Sequence, residues 1–284
     1  MKKKVVIQKI DLDTCLTAFI LDVSEEDDVV SVQSQATDED LRNPEVICIE
    51  CGGSGQVHLN NFDHHESGVS EPACLQVFKL IDGSSELERV VEYVAKVDTD
   101  PKSIEQPDRP DFISLSSLFS GMLLEQKDPG RQLFEGMGIY ETILAEGIDP
   151  FGAMPRLSEW EDYFQAKQAN RLLLSRESAR VEVFETAGGL KCGYLESEVI
   201  GGPGLIYNKG CDVAIVYSTE FGEAKIPKFT IAGKNGIRVD GLLASLNELE
   251  PGWGGPGHGT IIASPKTGSW LPAKEVCRIV SRNL

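Results

Sequence analysis

The chain has 284 residues, with 27 Lys or Arg against 45 Asp or Glu, for a formal net charge of −18. An apolar fraction of 41% with mixed charge is ordinary globular composition, which excludes a disordered or fibrous chain, and the length suits one large domain or two of common size. The acidity argues against tracking long nucleic acid, whose binding rests on Lys and Arg neutralising phosphates, and leaves a small phosphate ester open.

The chain opens on Met1 and three lysines, but the apolar stretch of residues 5–7 is broken at once by Gln8 and Lys9, so no secretory core forms. No run approaches the length that spans a membrane. Seven scattered cysteines have no framework spacing and read as reduced thiols, so a soluble, cytoplasmic protein is expected. Cys48 and Cys51 form a CxxC. It lacks a second pair, and Cys48 lies in an apolar run, so burial is the expected role.

In chain order, residues 5–10 read as a strand, 14–23 as a helix, 46–49 as a buried strand, and a third short strand ends at Phe62. Residues 71–80 and 86–96 read as helices, the second opened by Ser85 with Glu88 three residues on, a capping box. Residues 114–178 are helical in pattern, with breaks at 129–130 and 150–155. The periodicity then changes: 181–185, 213–217, 229–232 and 260–263 read as strands, and 241–249 and 273–281 as helices. The fold class expected is α/β, an N-terminal mostly parallel sheet with flanking helices plus a smaller C-terminal α+β domain, with the active site in the cleft between them. The expected division is a catalytic domain over 1–157, a helical interdomain linker over 158–182 and a substrate-binding domain over 183–284.

Acidic and histidine residues gather where apolar strands end. Asp11 and Asp13 follow the first strand; at spacing two on an extended segment they point the same way, and they also stand where a helix begins and would cap it. Glu50 ends the strand of residues 46–49 and is followed by glycines. Asp63, His64 and His65 end the third strand, and ligands of open α/β sheets collect outside the carboxyl ends of strands. Asp98 lies at the C-terminal end of its helix, where the dipole disfavours an anion and a carboxylate calls for a nearby cation; Asp100 is an alternative. Imidazole beside carboxylates is a ligand set for Mn²⁺, Fe²⁺ or Zn²⁺.

The ordered segments DLDTCLTA (11–18), VICIECGGSG (46–55), NNFDHHESG (60–68) and VAKVDTD (94–100) resemble the DHH phosphoesterase superfamily, in its nanoRNase- and exopolyphosphatase-related branch. Residues 252–259 (GWGGPGHG), which follow a helix and precede a strand, resemble the glycine-rich element of the DHH-associated C-terminal domain. The resemblance implies a phosphoric ester hydrolase that binds two divalent cations, Mn²⁺ first, with Mg²⁺ or Co²⁺ as alternatives. Asp13, Glu50 and Asp98 would bridge them and Asp11 and His64 would be terminal ligands. His65 would touch the phosphoryl oxygens or leaving group, and Asp63 would orient a histidine. Gly254, Gly255, Gly257 and His258 would receive substrate phosphate. The implied substrate is a short oligonucleotide or other small phosphodiester or phosphomonoester; the alternative is a degenerate member that binds nucleotide or metal without catalysis. No membrane or long nucleic-acid partner is implied, and a dimer is open.

Three departures stand out. The histidine that precedes the first-motif aspartates in many members is missing among Ile7, Gln8, Lys9 and Ile10; the second-motif acid is Glu50 rather than Asp; and the glycine-rich element is stretched to GGPGH. Phe62, Trp253 and Trp270 are candidates for stacking a base, with core packing the expected role of each.

Overall fold

The computed structural model describes residues 2–32, 35–52, 55–65, 71–100, 104, 112–222, 224–255 and 259–284. It divides into two compact units, Met1–Lys167 and Gln168–Leu284.

In the first unit, strands β1 (Lys4–Ile7), β2 (Asp28–Ser31), β3 (Val46–Ile49) and β4 (Asn61–Phe62) form one sheet in the order β2-β1-β3-β4, every neighbouring pair parallel. Parallel strands are covered on both faces, so they read as unbroken apolar runs. Val5, Val6 and Ile7 of β1 and all four residues of β3 are accordingly buried. β2 is an edge strand, with Asp28 and Ser31 exposed and its two valines half-buried. The chain leaves β1 for β2 on one side and reaches β3 on the other. The strand order therefore reverses between β1 and β3, the point at which such sheets bind ligands beyond their carboxyl ends.

Among the described residues, this sheet is accompanied by the helices α1 (Leu12–Ile20), α2 (Asp38–Arg42), α3 (Ala73–Leu80), α4 (Ser85–Thr99), α5 (Leu115–Glu125) and α6 (Pro129–Ala145). α1 packs against α3, α4 and α6, and Leu16, Val77, Val94 and Tyr140 from these helices belong to the core. Two local expectations change. Ser84, not Ser85, is the N-cap of α4, and its side chain makes no capping hydrogen bond. Pro129-Gly130 opens α6 rather than breaking a helix, because proline's missing N–H is harmless in a first turn, and Asp128 caps the helix through Arg131 N. α7 (Glu161–Glu177) runs across the division between the units.

The second unit holds β5 (Glu182–Glu185), β6 (Lys191–Glu196), α8 (Gly202–Asn208), β7 (Val213–Phe221), β8 (Ile226–Gly233), α9 (Leu243–Leu249), β9 (Ile261–Ala263) and α10 (Ala273–Asn283). Its sheet runs in chain order from β5 to β9, with β6–β7 parallel through the α8 crossover and the other pairs antiparallel. Val213, Ile215, Phe229, Ile231, Leu246, Trp253, Val276 and Val280 form its core. The chain is thus α/β, with a four-stranded parallel sheet and a separate mixed sheet. Among the described residues no helix is long and apolar enough to cross a membrane.

Candidate metal and phosphoester site

The turn after β1 carries Asp11, the N-cap of α1: its Oδ1 accepts from Thr14 N at 3.0 Å. Its Oδ2 lies 3.1 Å from the ammonium of Lys9, and Asp11, foremost, raises the Lys9 pKa, with smaller contributions from Asp98 and Glu50. Asp13, in the first turn of α1, is buried, and its two oxygens accept from Ala73 N at 2.8 Å and Cys74 N at 2.7 Å. These donors are N–H groups of the first turn of α3, whose N-cap, Pro72, supplies no side-chain acceptor. Burial pushes the Asp13 carboxyl above its usual range, against the pull of those hydrogen bonds and with a further push from Asp98.

Glu50 follows β3 with φ 54°, a left-handed conformation that costs a non-glycine residue about 1–3 kcal/mol and persists only where surrounding structure imposes it. Its side chain is buried and its Oε1 has no hydrogen-bond partner. Burial raises its pKa to about 7, against the pull of His64.

Asp63, just past β4, organises both histidines. Its Oδ1 accepts from His64 N at 2.7 Å, His65 N at 3.1 Å and His65 Nδ1 at 2.7 Å, and its Oδ2 accepts from Gly52 N at 2.8 Å. Its own carbonyl is held by buried Gln76, whose Nε2 donates at 2.8 Å. The two imidazoles stay close, their centroids 4.6 Å apart and both near Glu50 Oε2, but they differ in exposure. His64 turns inward, its side chain 15% exposed, and His65 outward, 63% exposed. His64 Nε2 stands 3.0 Å from Asp98 Oδ2 and 3.6 Å from Glu50 Oε2, yet makes no aligned hydrogen bond. Asp98 and then Glu50 raise the His64 imidazole to about 10. Asp98 sits in the last turn of α4, so the cation that a carboxylate there requires is supplied in this structure by His64.

All seven strand-end and helix-end residues singled out from the sequence are described, and the structure brings Asp13, Glu50, Asp63, His64, His65 and Asp98 into one cluster, with Asp11 beside it on Lys9. Two groups of three have donor atoms within 4.8 Å of one another: Glu50 with His64 and His65, and Asp13 with His64 and Asp98. They share His64, and in the first His65 Nδ1 is already engaged by Asp63. A divalent cation fits this set. The donors are carboxylate and imidazole; buried Glu50 Oε1 has no hydrogen-bond partner, which costs about 1–3 kcal/mol when left so, and His64 Nε2 meets Asp98 at 3.0 Å without an aligned hydrogen bond.

The glycine-rich loop of the second unit is built differently. Asn247 holds it through Oδ1, which accepts from Gly252 N at 2.8 Å and Trp253 N at 3.0 Å. Buried Glu250 accepts from Trp253 Nε1 (2.8 Å), Ser269 Oγ (2.8 Å) and Trp270 N (2.7 Å). Gly254 N is not free for phosphate, since it donates to Ala263 O at 3.1 Å. A Cβ on Gly255 would stand 2.0 Å from Ile261 O, so glycine is required there by the loop's own packing. Gly257 and His258 lie outside the described residues. Phe62 and Trp253 are core residues, but Trp270 is 70% exposed, against the expectation of core packing.

Cys48 and Cys51 are buried free thiols, and Cys51 Sγ donates to Val6 O. Lys9 and Gln76 were not singled out as site residues. Lys9 stands in the segment where the first-motif histidine was missed, which was its only signal; Gln76 has none in the sequence.

No protein-family model matches the chain, and no curated protein matches it by sequence. Solved structures do match. A pGpG-specific phosphodiesterase, PggH, from Vibrio cholerae superposes with a TM-score of 0.58 at 14% identity, over 98% of this chain and 96% of that one. The DHH domain of a member of the S1p family of ribosomal proteins superposes with a TM-score of 0.59 at 12% identity, over 98% of this chain and 85% of that one. The fold of this chain is that of DHH-domain proteins.

Proposed function

We propose that the chain is a metal-dependent phosphoesterase of the DHH superfamily, acting on a small phosphodiester of the dinucleotide class. The observation that carries this reading is the cluster at the carboxyl ends of β1, β3 and β4, where Glu50 Oε1 is buried without a hydrogen-bond partner and His64 Nε2 without an aligned one, among carboxylates from two further segments, Asp13 of α1 and Asp98 of α4. The pGpG specificity of the superposing phosphodiesterase supports the substrate class, as does a net charge of −18, which suits short substrates over long ones.

His64, Asp13, Asp98 and Glu50 would hold a divalent cation, Mn²⁺ by the resemblance, with the two-ion arrangement needing Asp11 as well. Bound there, such a cation lowers the pKa of a bound water and neutralises charge on the phosphoryl oxygens. The chain's own residues supply the rest. With Nδ1 engaged by Asp63, the atom that His65 offers to a substrate is Nε2, and the ring is exposed enough to reach one. There it can take a proton when neutral, or give one to the leaving oxygen once charged. Asp63 fixes the orientation and the tautomer, and Gly52 N and Gln76 fix Asp63 in turn.

Hydrolysis of pGpG, pApA and bis-p-nitrophenyl phosphate with added Mn²⁺, beside His64→Ala, tests this. Turnover that needs the metal and vanishes in the variant is expected. A folded protein that binds Mn²⁺ and turns over none of the three would overturn the enzyme reading in favour of a binding protein.

A further inference from the structure

We infer that the ammonium of Lys9 stands in for one of two cations, so that the chain holds a single divalent metal where its resemblance implies a pair. This inference rests on the metal-dependent reading of the same site and narrows it.

Each first-motif aspartate already has partners on both oxygens. Asp11 caps α1 with Oδ1 and meets Lys9 Nζ at 3.1 Å with Oδ2. Asp13 receives the N–H groups of Ala73 and Cys74, one on each oxygen. The two three-residue groups able to take a metal share His64, so among the described residues they serve one ion at a time, and Asp11 belongs to neither. A second ion would need Asp11, and that carboxylate faces a positive charge on the neighbouring side chain.

The balance of magnitudes favours the lysine. An exposed ion pair such as Lys9–Asp11 is weak by itself and easily broken. An ammonium about 4 Å from a divalent ion repels it enough, even at the dielectric of water, to weaken binding on the order of thirtyfold. The neutral imidazole that many relatives place ahead of these aspartates would add a ligand, whereas Lys9 adds a like charge. The site would then hold one divalent ion flanked by the ammonium of Lys9. Both would neutralise phosphoryl charge, and only the metal would lower the pKa of a bound water.

The test is Mn²⁺ stoichiometry by equilibrium dialysis with elemental analysis, together with low-temperature electron paramagnetic resonance, on the wild-type chain, Lys9→His and Lys9→Gln. Because the Lys9 side chain is 75% exposed, both variants should fold, which circular dichroism checks. The wild type is expected to bind one Mn²⁺ per chain with the spectrum of an isolated ion. Lys9→His should take a second, with exchange coupling between the ions, and Lys9→Gln should take it more weakly. Two coupled ions in the wild type, or one ion in a folded Lys9→His, would overturn the lysine's role while leaving the metal reading intact. No Mn²⁺ in the wild type would overturn both.

Discussion

The strand-end cluster of the first unit and the glycine-rich loop of the second are both dense in polar groups, and they treat them in opposite ways. In the loop, Glu250 collects three donors and Asn247 bonds on both its oxygen and its nitrogen, so the acceptors and donors of these two side chains are used internally. In the cluster, Asp63 and Asp13 are equally well satisfied by backbone N–H groups, but Glu50 Oε1 is buried without a partner, His64 Nε2 meets Asp98 only as an unaligned ion pair, and the Glu50 backbone is left-handed. Satisfied polar groups make scaffold. Unsatisfied ones, held in place by scaffold, mark where a ligand binds.

The largest expected effect follows from that contrast. His64→Ala removes the donor common to both candidate groups, so Mn²⁺ binding should be lost and turnover should fall by more than the roughly 10–100-fold that loss of a residue merely orienting a ligand costs. Dialysis and steady-state rates read it; a variant that keeps both would place the metal elsewhere. Next comes stability. Glu250→Ala leaves three donors around a buried site without their acceptor, and should cost about 2–4 kcal/mol in urea unfolding of the second unit. Mn²⁺ affinity should not change. If it falls in step, the loop is part of the metal site and the contrast drawn above is wrong.

A smaller effect is expected from Asp63→Asn. Asparagine has one acceptor oxygen where Asp63 uses two, so either Gly52 N or the histidine N–H groups lose their partner. Turnover should drop about 10–100-fold, with substrate KM rising as His65 loosens and with Mn²⁺ still bound. An unchanged rate would mean that His65 does not meet the substrate.

What was legible beforehand follows the same physics. β1 and β3 declare themselves through runs such as Val5–Val6–Ile7 because both faces of a parallel strand are covered. β2 passed unnoticed because an edge strand with two half-buried valines carries no such run, and β6 because Gly193 interrupts its apolar residues. The acids and histidines were visible by their positions at strand ends. Their supports were not: Asp13 meets α3 across 60 positions of sequence, and Gln76 reaches Asp63 across 13. A residue's partner at that separation is set by the packing of α1 on α3, which no local pattern encodes. Lys9 was read only as a missing histidine, and its positive charge acquired meaning once Asp11 was seen to hold it.

The smallest effect to measure is also the one that separates a metal site from a buried ion cluster. With the carboxylates of Asp98 and Glu50 raising His64 to about 10 and burial raising Glu50 to about 7, the metal-free cluster carries protons at neutral pH. A cation needs the imidazole and the carboxylate deprotonated, so it must displace those protons. The sign follows: below these pKa values protons compete with the metal, so affinity rises as pH rises, by about tenfold per pH unit for each proton released. Between pH 6 and pH 8 the Mn²⁺ dissociation constant should therefore fall, and calorimetry in buffers of different ionisation enthalpy should show proton release on binding. A pH-independent affinity would mean that the ion sits away from His64 and Glu50, and that their unpaired atoms serve some other ligand.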